Sequence, residues 1–206
     1  MFTGDRSGDF LFSALYRAGY ATQPDAISSD DGMKLLDAYI TAPVRCAPPQ
    51  NKPTALEQKT CSDYLKREFT YLNNVKVILA LGAIGYTAIS KELNITPRPK
   101  FAHGLEVKLK SGEIILCSYH VSQQNTFTGR LTEEMFDAVL ERARNCQEKT
   151  NKGRVDSRRN QLNPIASNMM KKQLAIIVIA LLALAACGSS GKPQSFYEQR
   201  GPLKED

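Results

Sequence analysis

The stretch Val75-Lys-Val-Ile-Leu-Ala-Leu81, followed at once by Gly82-Ala-Ile-Gly-Tyr-Thr-Ala-Ile-Ser-Lys-Glu92, decides the fold. Its first half is a continuous apolar run broken only by Lys76. Such a run suits a strand buried on both faces of a parallel sheet, whereas a half-exposed strand would alternate. Gly82 then opens a helix through Glu92, so a strand feeds a turn and the turn feeds a helix. Upstream, Thr54 with Glu57 three residues on forms a capping-box pattern, and the helix it starts runs to about Leu72. Before it, Cys46-Ala-Pro-Pro-Gln-Asn-Lys-Pro53 carries three prolines and is not regular structure. Residues 33–42 read as a short helix leading to a strand around Tyr39–Val44. Near the N-terminus, Phe10, Leu11, Ala14, Leu15 and Ala18 share one helical face, and Gly19 ends it.

Downstream, residues 94–104 form a loop with a lone His103. Leu105–Leu109 and Glu113–Ser118 flank Ser111-Gly112 as a strand pair. Tyr119–Arg130 is polar and loop-like. Thr132 caps an amphipathic helix over 133–146 with Met135, Phe136, Val139, Leu140 and Ala143 facing inward. Strands alternating with helices predict an α/β domain whose active residues lie in loops at strand C-terminal ends.

The chain has 206 residues, 42% hydrophobic and 23% charged, which excludes a collagen, a wholly disordered chain and a polytopic membrane protein. Its net charge of +6 is unevenly placed. Residues 1–146 hold 17 basic and 16 acidic side chains, residues 147–172 hold 7 and 2, and the last 34 residues balance at 3 and 3. The basic excess therefore lies outside the expected domain and says little about what that domain binds. Five cysteines, Cys46, Cys61, Cys117, Cys146 and Cys187, with no secretory signal at the N-terminus, argue against a disulfide framework and for a reducing, cytoplasmic setting. No GxSxG and no GxxxxGK[ST] is present, which removes support for acyl or P-loop phosphate chemistry.

Residues 147–168 have low hydrophobicity and no period, and read as a basic linker. Met169-Met-Lys-Lys-Gln precedes the apolar run Leu174–Ala186, which is 13 residues long, short of the roughly 20 that span a bilayer. Leu184-Ala-Ala-Cys187-Gly-Ser-Ser190 resembles a bacterial lipoprotein lipobox. Residues 169–206 thus read as a signal-peptide-like segment with a polar tail, the start of a second reading frame joined to the first. A buried C-terminal helix and a membrane anchor through 174–187 are the other two readings.

Three further segments stand together: Phe2-Thr-Gly-Asp-Arg-Ser-Gly8, Val44-Arg-Cys-Ala-Pro-Pro-Gln-Asn-Lys-Pro-Thr54 with Cys61, and Ser118-Tyr-His-Val-Ser-Gln-Gln-Asn-Thr-Phe-Thr-Gly-Arg-Leu-Thr132. Over residues 1–146 they resemble the type 5 uracil-DNA glycosylases of the uracil-DNA glycosylase superfamily. The third segment is the most specific and departs from the family pattern at Val121, where proline is usual. The resemblance implies a three-layer α/β/α sandwich with a mostly parallel sheet. It implies base-excision repair of uracil, and of other deaminated bases, flipped out of duplex DNA. Cleavage of the N-glycosidic bond puts positive charge on the sugar and negative charge on the leaving base. The enzyme must then activate water and stabilise the base anion.

In that frame Asp5 is the candidate to position water; its other reading is a turn aspartate capping the next helix. His120 is the candidate to stabilise the charge on the uracil carbonyl, against a loop histidine bonding backbone. Asn51 offers donor and acceptor to the base edge, against an Asx turn. Phe2 would stack on the flipped base. Ser122, Gln123 and Gln124 belong to a loop that enters the minor groove by family analogy. Asn125 fixes the His120 loop or touches phosphate, and Arg130 meets phosphate. His103 reads as a structural hydrogen-bonding residue.

Cys46 and Cys61 match two of the four cysteines that hold a [4Fe–4S] cluster in the family, and four thiolates are needed. Cys117 and Cys146 match none and read as buried small hydrophobes. The resemblance places the other two cluster cysteines, a first strand and one pocket wall before residue 1. A sheet lacking that central strand is expected, and with it the rival reading of a non-catalytic DNA-binding remnant or a membrane-tethered fusion.

Overall fold

The computed structural model describes residues 5–45, 53–159 and 175–180, with 149–159 and 175–180 described as backbone only. In chain order these hold α1 (Arg6–Arg17), β1 (Ala38–Thr41), α2 (Ala55–Tyr71), β2 (Val75–Leu81), α3 (Gly82–Glu92), β3 (Glu106–Lys108), β4 (Ile114–Ser118), α4 (Gln123–Phe127), α5 (Glu133–Arg159) and β5 (Ala175–Ala180). The strands form one mixed sheet in the order β1-β5-β2-β4-β3. β1, β5, β2 and β4 run parallel, and β3 is antiparallel to β4.

β2 forms over the expected residues and is interior, with Val77 to Leu81 each at most 1% exposed. Its side chains divide by period two. Val77, Leu79 and Leu81 pack with Leu11, Leu15, Phe136 and Leu140 of α1 and α5. Ile78 and Ala80 pack with Leu65, Tyr86 and Ile89 of α2 and α3, joined by Ile115 and Cys117 of β4. Two helical layers therefore enclose the sheet, which is the three-layer α/β/α arrangement.

Charge pairs tie the layers at their rims. Arg17 donates to both carboxylate oxygens of Asp137 at 2.8 and 2.9 Å, clamping α1 to α5. Exposed pairs of this kind are worth about 0.2–1 kcal/mol. On the other side Glu68 of α2 accepts from Tyr39 (3.0 Å), Thr41 (2.5 Å) and Arg45, fixing β1 to that helix.

The structure departs from the sequence reading at four places. Residues 33–37 form no helix; Leu35 bridges Ala21, and the strand after it covers Ala38–Thr41. A short helix, α4, interrupts the expected loop 119–130. α5 continues into the expected linker as far as Arg159, and Gln147 is 4% exposed, accepting a 2.6 Å hydrogen bond from the Tyr20 hydroxyl. A helix needs only good formers once its inner stripe is docked, and Gln147-Glu148-Lys149 supplies them. Fourth, the sheet, expected to lack a central strand, holds β5 beside β2, drawn from the apolar run read as a signal-peptide core, a buried helix or a membrane anchor. The four consecutive β-branched residues Ile176-Ile-Val-Ile179 explain strand over helix. The lipobox-like residues 184–187 lie outside the described residues. Among the described residues, no helix is long and apolar enough to cross a membrane.

Candidate active site

Because β2 and β4 are parallel with Leu81 opposite Ser118, both end at the same edge of the sheet. The chain leaving β2 at Gly82 and the chain leaving β4 at Tyr119-His120 therefore meet there, where open α/β sheets take their ligands. Between them lies a cleft of about 320 Å³. Leu81 to Ile84 form one wall, Phe101 and Tyr119 another, and His120, Asn125 and Arg130 complete it.

Gly82 makes the approach possible. Its φ is +82°, and a Cβ built there would sit 3.2 Å from the Cβ of His120. A side chain at residue 82 would meet both backbone strain and the imidazole's own stem. His120 is thus packed directly on backbone, with its Nε2 atom buried. Its loop is pinned at both sides. The Asn125 side-chain amide donates to the His120 carbonyl at 2.8 Å, and Val121 is fully buried among the residues of α1 and α5. Val121, the departure from the family pattern, anchors the loop by apolar burial.

Tyr119 is held just as closely. Its backbone N–H donates to His103 Nδ1 at 3.2 Å, and its ring stacks on the His103 imidazole at 5.1 Å and 26°. The exposed Arg130 guanidinium lies 4.6 Å from the Tyr119 ring centroid. A cation, an aromatic ring and an imidazole are therefore in contact beside His120. His103 is the hydrogen-bonding residue the sequence reading expected. Burial lowers its pKa below the ordinary histidine value, with a backbone hydrogen bond at Met135 opposing. An Nδ1 that accepts from a backbone N–H carries no proton, so the ring is neutral with its proton on Nε2.

Asp5 stands apart from this cleft's lining. It is the N-cap of α1, accepting from the Gly8 N–H at 2.6 Å. The capping reading describes its local geometry. A second groove, of about 520 Å³, runs beside it between α1 and the α4–α5 corner, with Arg6 and Phe127 in cation–π contact at 5.5 Å. Its other cation, Arg17, is already paired to Asp137 and Glu133.

Of the residues singled out in the sequence, the cleft gathers His120, Asn125 and Arg130. Ser122 caps α4 by position, and Gln123 and Gln124 lie in its first turn. Phe2, Cys46 and Asn51 lie outside the described residues. Gly82, Phe101 and Tyr119 were not singled out as site residues. The one sequence signal for them is a glycine directly after a buried strand.

Of the two cysteines that the resemblance assigns to a cluster, only Cys61 lies among the described residues. Cys61 is partly buried on α2. Cys117 and Cys146 are buried in separate cores on opposite faces of the sheet. Among the described residues, no group of three or more His, Cys, Asp or Glu side chains could hold a metal ion.

A sequence profile of the Uracil DNA glycosylase superfamily matches residues 1–144. The chain is 44% identical over 147 residues to the Type-5 uracil-DNA glycosylase of Mycobacterium bovis, covering 70% of this chain and 55% of that protein. It is 44% identical over 144 residues to the Type-5 uracil-DNA glycosylase of Thermus thermophilus, covering 69% and 65%. A Type-4 uracil-DNA glycosylase of Thermotoga maritima is 30% identical over 96 residues, covering 45% and 47%. The chain thus spans between about half and two thirds of the length of these relatives.

Proposed function

The chain belongs to the uracil DNA glycosylase superfamily, and on that footing we propose that it hydrolyses the N-glycosidic bond of uracil in DNA at the cleft between the ends of β2 and β4. The observation that carries this reading is the setting of His120. A buried imidazole edge, packed on the Gly82 backbone and fixed through Asn125, is pre-organised to meet one charged atom of a bound base.

In the proposed reaction a uracil nucleotide leaves the duplex stack, at a cost of a few kcal/mol, and enters the cleft beside Phe101 and Tyr119. Water attacks the sugar carbon, and the carbon–nitrogen bond breaks with its electron pair going to the base. His120 stabilises the negative charge that builds on the uracil carbonyl, and the released anion takes up a proton. Asp5, the N-cap of α1 outside the cleft lining, takes the role of positioning the water and balancing the cationic sugar on the strength of the family resemblance. Arg130, exposed at the cleft, meets backbone phosphate, and Ser122, Gln123 and Gln124 contact the duplex at the flipping site. Such phosphate contacts position the protein without reading sequence.

The test is strand cleavage by hot alkali after incubating the 206-residue chain with a duplex carrying one uracil, beside the same duplex carrying thymine. Cleavage at uracil alone is expected. Equal binding of both duplexes with no cleavage of either would replace this reading with that of a non-catalytic DNA-binding protein.

A further inference from the structure

β5 is an interior strand. It pairs with β1 on one side, Ala38 to Thr41 against Ile176 to Ile179, and with β2 on the other, Val77 to Leu81 against Ile176 to Ala180. Adjacent strands lie about 4.8 Å apart, so β1 and β2 bracket a gap of two such spacings that one strand fills. Both facing edges present backbone donors and acceptors, and an unpaired buried edge is costly. β1 pairs with no other strand among the described residues, so β5 is what joins it to the rest of the sheet. β2 in turn delivers Gly82 to the cleft. Residues 160–174 are fifteen residues of chain, able to reach roughly 50 Å when extended, so the end of α5 and the start of β5 need not be neighbours.

We propose that β1 and β2 form a strand-acceptor slot, that residues 175–180 occupy it as a structural strand of the same chain, and that this slot rather than a lipid surface is where the apolar segment goes. The sequence of the occupant fits the slot. An interior parallel strand should be apolar and rich in β-branched residues, and Ala175-Ile-Ile-Val-Ile-Ala180 carries four of them in succession and no charge. The whole apolar run Leu174–Ala186 is 13 residues, short of the roughly 20 that span a bilayer as a helix.

The test uses the full chain and needs no glycosylase activity. Ile40 and Val178 are register partners, so Ile40→Cys with Val178→Cys places two thiols at a separation that a disulfide accepts. Mild oxidation is expected to give a cross-link within one chain, located by peptide mass mapping. A link only between two chains, as in a strand-swapped dimer, would overturn the proposal, as would no link in folded protein. Co-sedimentation of the wild-type chain with anionic vesicles through this segment would overturn it too. As a second measurement, Val178→Lys should lower amide-exchange protection in β1 and β2 by at least about 100-fold, because a charge would enter an interior strand of the sheet, with Val178→Thr close to wild type. Unchanged protection in the lysine variant would contradict the assignment. If that variant does not fold, the cross-link decides.

Discussion

At Asp5 the observed helix cap and the proposed water-positioning role meet in one side chain, and substitution separates them. Asn caps a helix as well as Asp but carries no charge. Asp5→Asn is therefore expected to hold stability within about 1 kcal/mol in urea unfolding while lowering excision about 100-fold or more, as loss of a water-positioning base does. Retained excision would leave Asp5 as a cap alone. Gly82 is constrained by two independent facts, its positive φ and its contact with His120. Gly82→Ala should cost about 1–2 kcal/mol in denaturant unfolding and slow excision as well. His103 gives the site a pH dependence. Its folded pKa is lowered by burial, so the unfolded chain binds the extra proton first. Its contribution is full above the unfolded value near 6.5 and declines as pH falls below it toward the lowered folded value. His103→Asn, which keeps an acceptor oxygen without titrating, should flatten that part of the stability profile. The place of His120 in the cleft was legible because it stands in a specific motif, whereas those of Tyr119 and Phe101 were not, since an aromatic in a loop carries no periodic signal.

Among the elements, the best-read were those whose local signals agreed. β2 and α3 ran as expected because an enclosed apolar run, a glycine and a helical pattern follow one another without a gap. α2 was fixed by its capping box, with Thr54 and Glu57 bonded reciprocally. Failures came where a tertiary partner outweighs local pattern. Residues 33–37 pair with the chain at Ala21 instead of coiling. The inner stripe of α5 extends to Gln147 through a single buried hydrogen bond to Tyr20, whose hydroxyl pKa is pushed up to about 12 by burial, so it stays a donor throughout the neutral range. Tyr20→Phe would leave the Gln147 carbonyl oxygen buried without that donor. Unfolding in urea should then show a loss of about 1–3 kcal/mol. A change near zero would mean that the α1–α5 junction does not rest on this bond.

For the whole molecule, the fold class followed from the alternation of strands and helices, but the membership of the sheet did not. An apolar segment beyond a basic tract carries the same composition whether it enters lipid or a sheet, and only the pairing of β5 with both β1 and β2 distinguishes the two. The consequence is that the cleft depends on a segment far from it in sequence, since β2 is held on one side by β5 and on the other by β4. The cleft itself rests on His120, and the most direct test is the amount of free uracil released in a single turnover from a duplex carrying one uracil. The full chain should release uracil to the level of bound substrate, and His120→Ala should slow release by about 100-fold or more while binding the duplex as tightly. Folded, DNA-bound wild-type protein that releases no uracil, or a His120→Ala variant as fast as wild type, would contradict the account.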